Sequence, residues 1–162
     1  MTTDHVDRVV EQWAEERPDL DASPIRIIGR ISRLSRAIDR QLKTVFDRHG
    51  LEAWEYDVLA SLRRSGSPYE LTAGELLDAL MITSGAVTNR IDRLEQRGFV
   101  RRTKGADDRR VVRIRLTAAG RAAVDATIQD HLANEAGILR ALTPADARHL
   151  ERLLRKVQAG LP

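Results

Sequence analysis

The side chains best placed for chemistry lie between Thr83 and Arg115. A helix starting at Thr83 or Ser84 and ending before Gly98 turns about 100° per residue, which puts Val87, Ile91 and Leu94 within about 60° of one another, facing a core. The opposite side carries Gly85, Asn89, Asp92, Arg93 and Gln96, with Ser84 and Thr88 on a flank. Asn, Arg, Ser and Thr are the side chains suited to base edges and phosphates, and small residues at Gly85 and Ala86 let the helix start approach a duplex closely. A basic hairpin follows at once. Arg101, Arg102, Lys104 and Arg113 are placed there for phosphate contact, and Asp108-Arg109-Arg110 stands at its tip. A tip arginine fits the narrow minor groove, where the potential is most negative, and Asp108 can orient a guanidinium by a bidentate pair.

Charge agrees with that chemistry. The whole chain has a formal net charge of only +3, yet Thr83–Arg115 holds ten Lys/Arg against four Asp/Glu, leaving 17 basic and 20 acidic residues elsewhere. A basic fifth of a mildly acidic protein is the footprint of a phosphate-binding surface.

The elements that must position these residues are mostly helical. Residues 3–16 form a short helix with Val6, Val9, Val10 and Trp13 on one side, ended by Arg17-Pro18. Ser23-Pro24 opens a long helix whose seam runs Ile27, Ile31, Leu34, Ile38, Leu42, Val45, until Gly50. A third helix, about Glu52 to Ser65, buries Trp54, Val58 and Leu62. Thr72-Ala-Gly-Glu75 is a capping box for a fourth, which carries Leu76, Leu77 and Leu80. After a turn at Met81-Ile82 comes the polar-faced fifth helix. The period then changes from 3.6 to 2: Phe99–Thr103 and Val111–Leu116 read as strands, with Val112, Ile114 and Leu116 inward and a turn at Gly105-Ala-Asp-Asp. Thr117 caps a helix to about Leu142 with Val124, Ile128, Leu132, Ala136 and Leu139 in register. Thr143-Pro144 opens the last, striped by Leu150, Leu153, Leu154, Val157 and Leu161.

The fold class expected is mainly α with a small β-hairpin wing (α+β). Residues 51–117 form a winged helix-turn-helix, and residues 1–50 and 118–162 a helical dimerisation region, within a single domain of 162 residues. The terminal stripes offer more apolar surface than the small winged unit can cover, which argues for a second copy. With no cysteine, disulfides, thiol catalysis and cysteine zinc sites are excluded. No phosphate loop or nucleophile elbow is present. His131 and Glu135 could share a helix face, but such a pair is a weak metal signal. An enzyme, a cofactor, a metal and a membrane span are therefore not expected, and a cytoplasmic location is. The rival is a helical dimeric adaptor that binds protein partners without DNA; it would explain the seams but not the basic wing.

The stretch from Tyr56-Asp57-Val58-Leu59 through ITSGAVTNRIDRLEQRGFVRR and DDRRVVRIRLTAAGRAAV resembles the MarR family of bacterial winged-helix regulators, over about residues 25–160. The resemblance implies an obligate homodimer with interleaved terminal helices. It also implies binding to palindromic promoter DNA, and repression or activation relieved by a small ligand or oxidant. The extra N-terminal helix with Trp13 is similar to that of a subgroup binding urate or similar small anions. There a tryptophan of the added helix, an aspartate of the third helix and two arginines form the pocket, and Trp13, Asp57, Arg90 and Arg102 match them. The helical wheel independently turns Arg90 about 60° from the apolar stripe, toward the interior. There Asp57 could be its partner.

Overall fold

The computed structural model describes residues 3–80, 84–104 and 111–161. Packing gathers the chain into two compact units, residues 1–41 and 42–162.

In the first unit, α1 (His5–Glu16) starts on a capping box: the Asp4 carboxylate accepts from the Val6 and Asp7 amides, and the Asp7 carboxylate accepts from the Asp4 amide. Helix α2 (Ile25–Arg48) begins here and ends in the second unit. Val6 and Val10 are buried, and Val6 packs so close to Gly29 that a Cβ there would lie 3.2 Å from a Val6 methyl. Arg26 and Arg30 of α2 hold Asp7 at 2.7 and 2.9 Å. The first half of the α2 seam is left open, with Ile27, Ile31 and Leu34, and Ile28 beside them, exposed, while Val45 is buried.

The second unit has one apolar core. Phe46 and Leu51 lead into α3 (Ala53–Arg64), which buries Val58, Leu59 and Leu62. Leu76 comes from α4 (Ala73–Leu80), whose Thr72–Glu75 capping box forms as expected, at 2.7 and 3.2 Å. Val87, Ile91 and Leu94 come from α5 (Ser84–Gln96), confirming the sequence-derived inner face. After α5 the chain turns at Gly98, whose φ of +73° is left-handed and thus natural for glycine, and the Phe99 amide closes back on the Leu94 carbonyl.

Among the described residues the sheet has three strands, not the two expected. β2 (Val100–Lys104) and β3 (Val112–Leu116) are antiparallel, with Arg102 opposite Ile114. A short β1 (Glu70–Thr72) adds to the other side of β3, giving the order β1-β3-β2. Three residues with no clear alternation carry no strand signal in the sequence; β1 exists because β3 offers it an edge. Ile114 and Leu116 are buried as expected, but Val112 is 48% exposed, because the sheet's covered face ends before it. Trp54 is only half-buried, not core. The expected turn at Met81-Ile82, the Thr83 cap and the wing tip from Gly105 to Arg110 lie outside the described residues.

Helix α6 (Ala118–Ile138) stops four residues short of the expected Leu142. Thr117 joins it to the wing: its hydroxyl accepts from the Gly120 amide at 3.0 Å and donates to the Gly98 carbonyl at 2.7 Å. The Thr117 amide donates to the Phe99 carbonyl at 3.0 Å. Gly120 is required at this crossing, since a Cβ would fall 2.0 Å from the Phe99 carbonyl oxygen. Val124 is buried and Ile128 packs on the core, but Leu132 and Leu139 are exposed. The last helix, α7 (Pro144–Gln158), is well capped by Thr143 and Asp146, yet none of its residues is buried.

Candidate nucleic-acid interface

The face of α5 opposite its buried stripe is in solvent. Gly85, Thr88 and Asn89 are exposed there, as is Asp92, while Ser84 begins the helix. Arg93 is also exposed, but its guanidinium lies 4.7 Å over the Trp54 ring and 3.5 Å from the Glu52 carboxylate. The sequence put it toward base edges; in the unbound fold it rests on an indole instead. Glu52 holds that platform, accepting from the Trp54 indole N–H at 2.8 Å.

Arg90 occupies the inner flank that the wheel gave it. It is half-buried, 5.7 Å from the same Trp54 ring. Its charge also reaches Asp57. The Asp57 carboxyl is pushed above its ordinary value by the loss of hydrating water, with Arg90, Arg64 and His131 pulling it back down. Arg90 acts on Asp57 through its charge, without an ion pair between the two among the described residues. Trp13 lies in the first unit, with its indole 47% exposed.

The wing strands sort their cations sharply. Arg101 and Lys104 of β2 are exposed and have no hydrogen bond or ion pair among the described residues. Arg113 and Arg115 of β3 straddle Glu70 of β1 at 3.9 and 3.0 Å, so Arg113 has a carboxylate beside it within the sheet. Arg102 is bound to Asp92 and Glu95 of α5, and its amide donates to Glu95 at 2.9 Å. The Asp92 carboxylate, with Glu95, holds the Arg102 guanidinium above its ordinary value. Arg109 and Arg110 fall outside the described residues.

One further pair ties the end of α5 to the start of α3. Arg97, just past its end, binds the Glu55 carboxylate, stacks 4.7 Å from the Phe99 ring and donates to the Gly50 carbonyl at 2.8 Å. Glu55 is 2% exposed, and it also accepts from the Glu52 amide at 2.9 Å. A buried carboxylate of this kind needs its partners. Sequence reasoning missed Trp54, Glu55, Arg97 and the Asp92–Glu95–Arg102 cluster as parts of the site. The spacing of Asp92 and Glu95, three apart on a helix, was the one signal pointing to the last.

A model of the MarR family matches residues 49–111. The chain is 44% identical to the HTH-type transcriptional regulator PecS of Dickeya dadantii (strain 3937) over 156 residues, which is 96% of this chain and 94% of that protein. It is 31% identical to the multiple antibiotic resistance protein MarR of Salmonella typhimurium over 134 residues, 80% of this chain and 90% of that one. Its fold is similar to a mutant MarR from E. coli complexed with operator DNA, with a TM-score of 0.72 and 28% identity over 93% of this chain and 98% of that structure. AbsC of Streptomyces coelicolor shares the fold at a TM-score of 0.79 and 22% identity, over 86% and 95% of the two chains. An exposed helix face and a cation-bearing strand beside it are what such regulators need, and the chain belongs to the MarR family of HTH-type transcriptional regulators, not to any class of enzyme.

Proposed function

We propose that the chain is a homodimeric, ligand-responsive transcriptional repressor that binds palindromic promoter DNA, with α5 in the major groove and the wing in the minor groove. The observation that carries the dimer is α7. An isolated helix of 15 residues is marginal in water, and this one buries nothing against its own chain while exposing Leu150, Leu153, Leu154 and Val157. A second copy covering it, together with the open seams of α2 and α6, accounts for all three stripes. The groups assigned to DNA are Ser84, Gly85, Thr88 and Asn89 of α5, with Arg101, Lys104, Arg109 and Arg110 of the wing. Arg93 joins them if it leaves Trp54. The related MarR complexed with operator DNA supports this reading.

The reading is tested by equilibrium binding to the DNA flanking its own gene across a salt series, alongside sedimentation at micromolar concentration. A dimer of the 18.2 kDa chain, and affinity falling steeply with salt, are expected. Arg109→Ala or Arg110→Ala should shallow that slope by about one unit for each phosphate no longer neutralised. Salt-insensitive or absent binding would favour an adaptor that binds only protein. The effector proposed is a small planar anion such as urate, and the resemblance alone assigns Trp13, Asp57, Arg90 and Arg102 to it. An anion there would compete with Asp57 for Arg90, a residue of the reading helix itself. Urate should release the DNA, and Arg90→Ala should abolish release; an unresponsive wild-type protein sinks the effector reading while leaving DNA binding intact.

A further inference from the structure

Among the described residues β2 is an edge strand, with a strand partner on one side only. Glu95 of α5 meets that edge, accepting from the Arg102 amide at 2.9 Å while its other oxygen accepts from the Arg102 guanidinium. The second arm of the same guanidinium donates to Asp92, one helical turn earlier. Three bonds from one residue therefore join the strand of the wing to the outer face of α5. Asp92 is half exposed on the side offered to DNA, and Glu95 is only partly covered. Two carboxylates there would repel a phosphate backbone if they stood alone.

We propose that Arg102 is a positioning residue of the DNA-reading surface: by binding Asp92 and Glu95 together it locks the wing strand to the recognition helix and offsets their charge toward DNA. An exposed ion pair alone contributes little. Here the fork is anchored by a backbone bond at the same residue, so helix and wing are set at one spacing before DNA arrives. Pre-organisation of that kind appears as affinity, because the spacing need not be fixed during binding. The proposal rests on the DNA-binding reading, and it gives Arg102 a task in DNA binding itself, other than phosphate contact and in addition to the effector role that the resemblance implies.

The test uses the full-length protein and the variants Arg102→Met, Asp92→Asn, Glu95→Gln and the double variant Arg102→Met/Asp92→Asn. Glu95→Gln keeps an oxygen for the Arg102 amide, so it removes the charge with little risk to folding. In denaturant unfolding, Arg102 and Asp92 should be coupled by about threefold or more in the equilibrium constant, and additive effects overturn the proposal whether or not DNA binds. In DNA binding, Asp92→Asn and Glu95→Gln should each weaken affinity by about three- to tenfold with the salt slope unchanged. Removing a negative charge from a DNA-facing surface ordinarily strengthens binding, so the sign decides: tighter binding by either variant overturns the strut. A salt slope shallower by about 0.9 in Arg102→Met makes it a phosphate ligand instead. Unchanged affinity with lost release by urate makes it an effector residue. Either result refutes the proposal.

Discussion

Replacing Gly120 by alanine perturbs the point where the wing meets α6. The added Cβ would sit 2.0 Å from the Phe99 carbonyl oxygen, 2.9 Å from its carbon and 3.2 Å from a Leu116 methyl. Two of these atoms are backbone and cannot swing aside, so the helix start must lift by about 1.4 Å to reach ordinary contact distance. That movement loosens the Thr117 amide bond to the Phe99 carbonyl and the Thr117 hydroxyl bond to Gly98. Overpacking of this kind costs roughly 1–3 kcal/mol. A weakened hydrogen bond adds about 1 kcal/mol, and the better helix propensity of alanine returns up to about 1 kcal/mol. The net expectation is a loss of about 1–3 kcal/mol. Gly137, in the same helix, has nothing within 4 Å of its virtual Cβ, so Gly137→Ala should instead stabilise by up to about 1 kcal/mol. Urea unfolding at matched protein concentration measures both. Equal or same-signed effects would refute the close approach as the reason for Gly120. Because Phe99 lies between α5 and β2, Gly120→Ala should also weaken DNA binding, while Gly137→Ala should not.

Arg97→Met strands the Glu55 carboxylate, which is 2% exposed, with only the Glu52 amide as donor; a loss of roughly 1–3 kcal/mol in urea unfolding is expected, and no loss would mean the pair is incidental. Asp57 binds its proton more tightly folded than unfolded, so its contribution to stability is complete below the ordinary carboxylate value and is lost as pH rises through the folded one. Asp57→Asn should therefore raise the melting temperature at pH 7 and give no gain near pH 3; a lower melting temperature at pH 7 contradicts this sign. Asn89→Ala should relax sequence preference by roughly 1–3 kcal/mol per site in competition binding. Arg93→Ala, whose guanidinium already rests on Trp54, should have the smaller effect on preference, and the reverse order would show that Arg93 swings out to the bases.

Where a local signal suffices, the sequence was enough. The capping box at Thr72–Glu75 forms, since it is a contract among residues three apart, and Thr143-Pro144 opens α7. Gly98 turns left-handed, and the buried faces of α5 and the inner pair of β3 follow from period alone. Arg90's inward flank was also legible, because a wheel locates it. Tertiary structure decided what depends on the neighbour a side chain meets. β1 is too short to announce itself and needs the open edge of β3. Val112 alternates correctly but lies past the covered end of the sheet, so period gave its face and not its cover. The arginines show this most clearly. In the sequence the hairpin cations Arg101, Arg102, Lys104 and Arg113 share one expected role in phosphate contact and Arg93 faces base edges, and only the fold shows what each one meets. Glu70 takes Arg113, Asp92 and Glu95 take Arg102, and Trp54 takes Arg93, which leaves Arg101 and Lys104 unpaired among the described residues. A long flexible side chain goes to the nearest opposite charge or aromatic face in space, and that distance is written nowhere in a one-dimensional pattern.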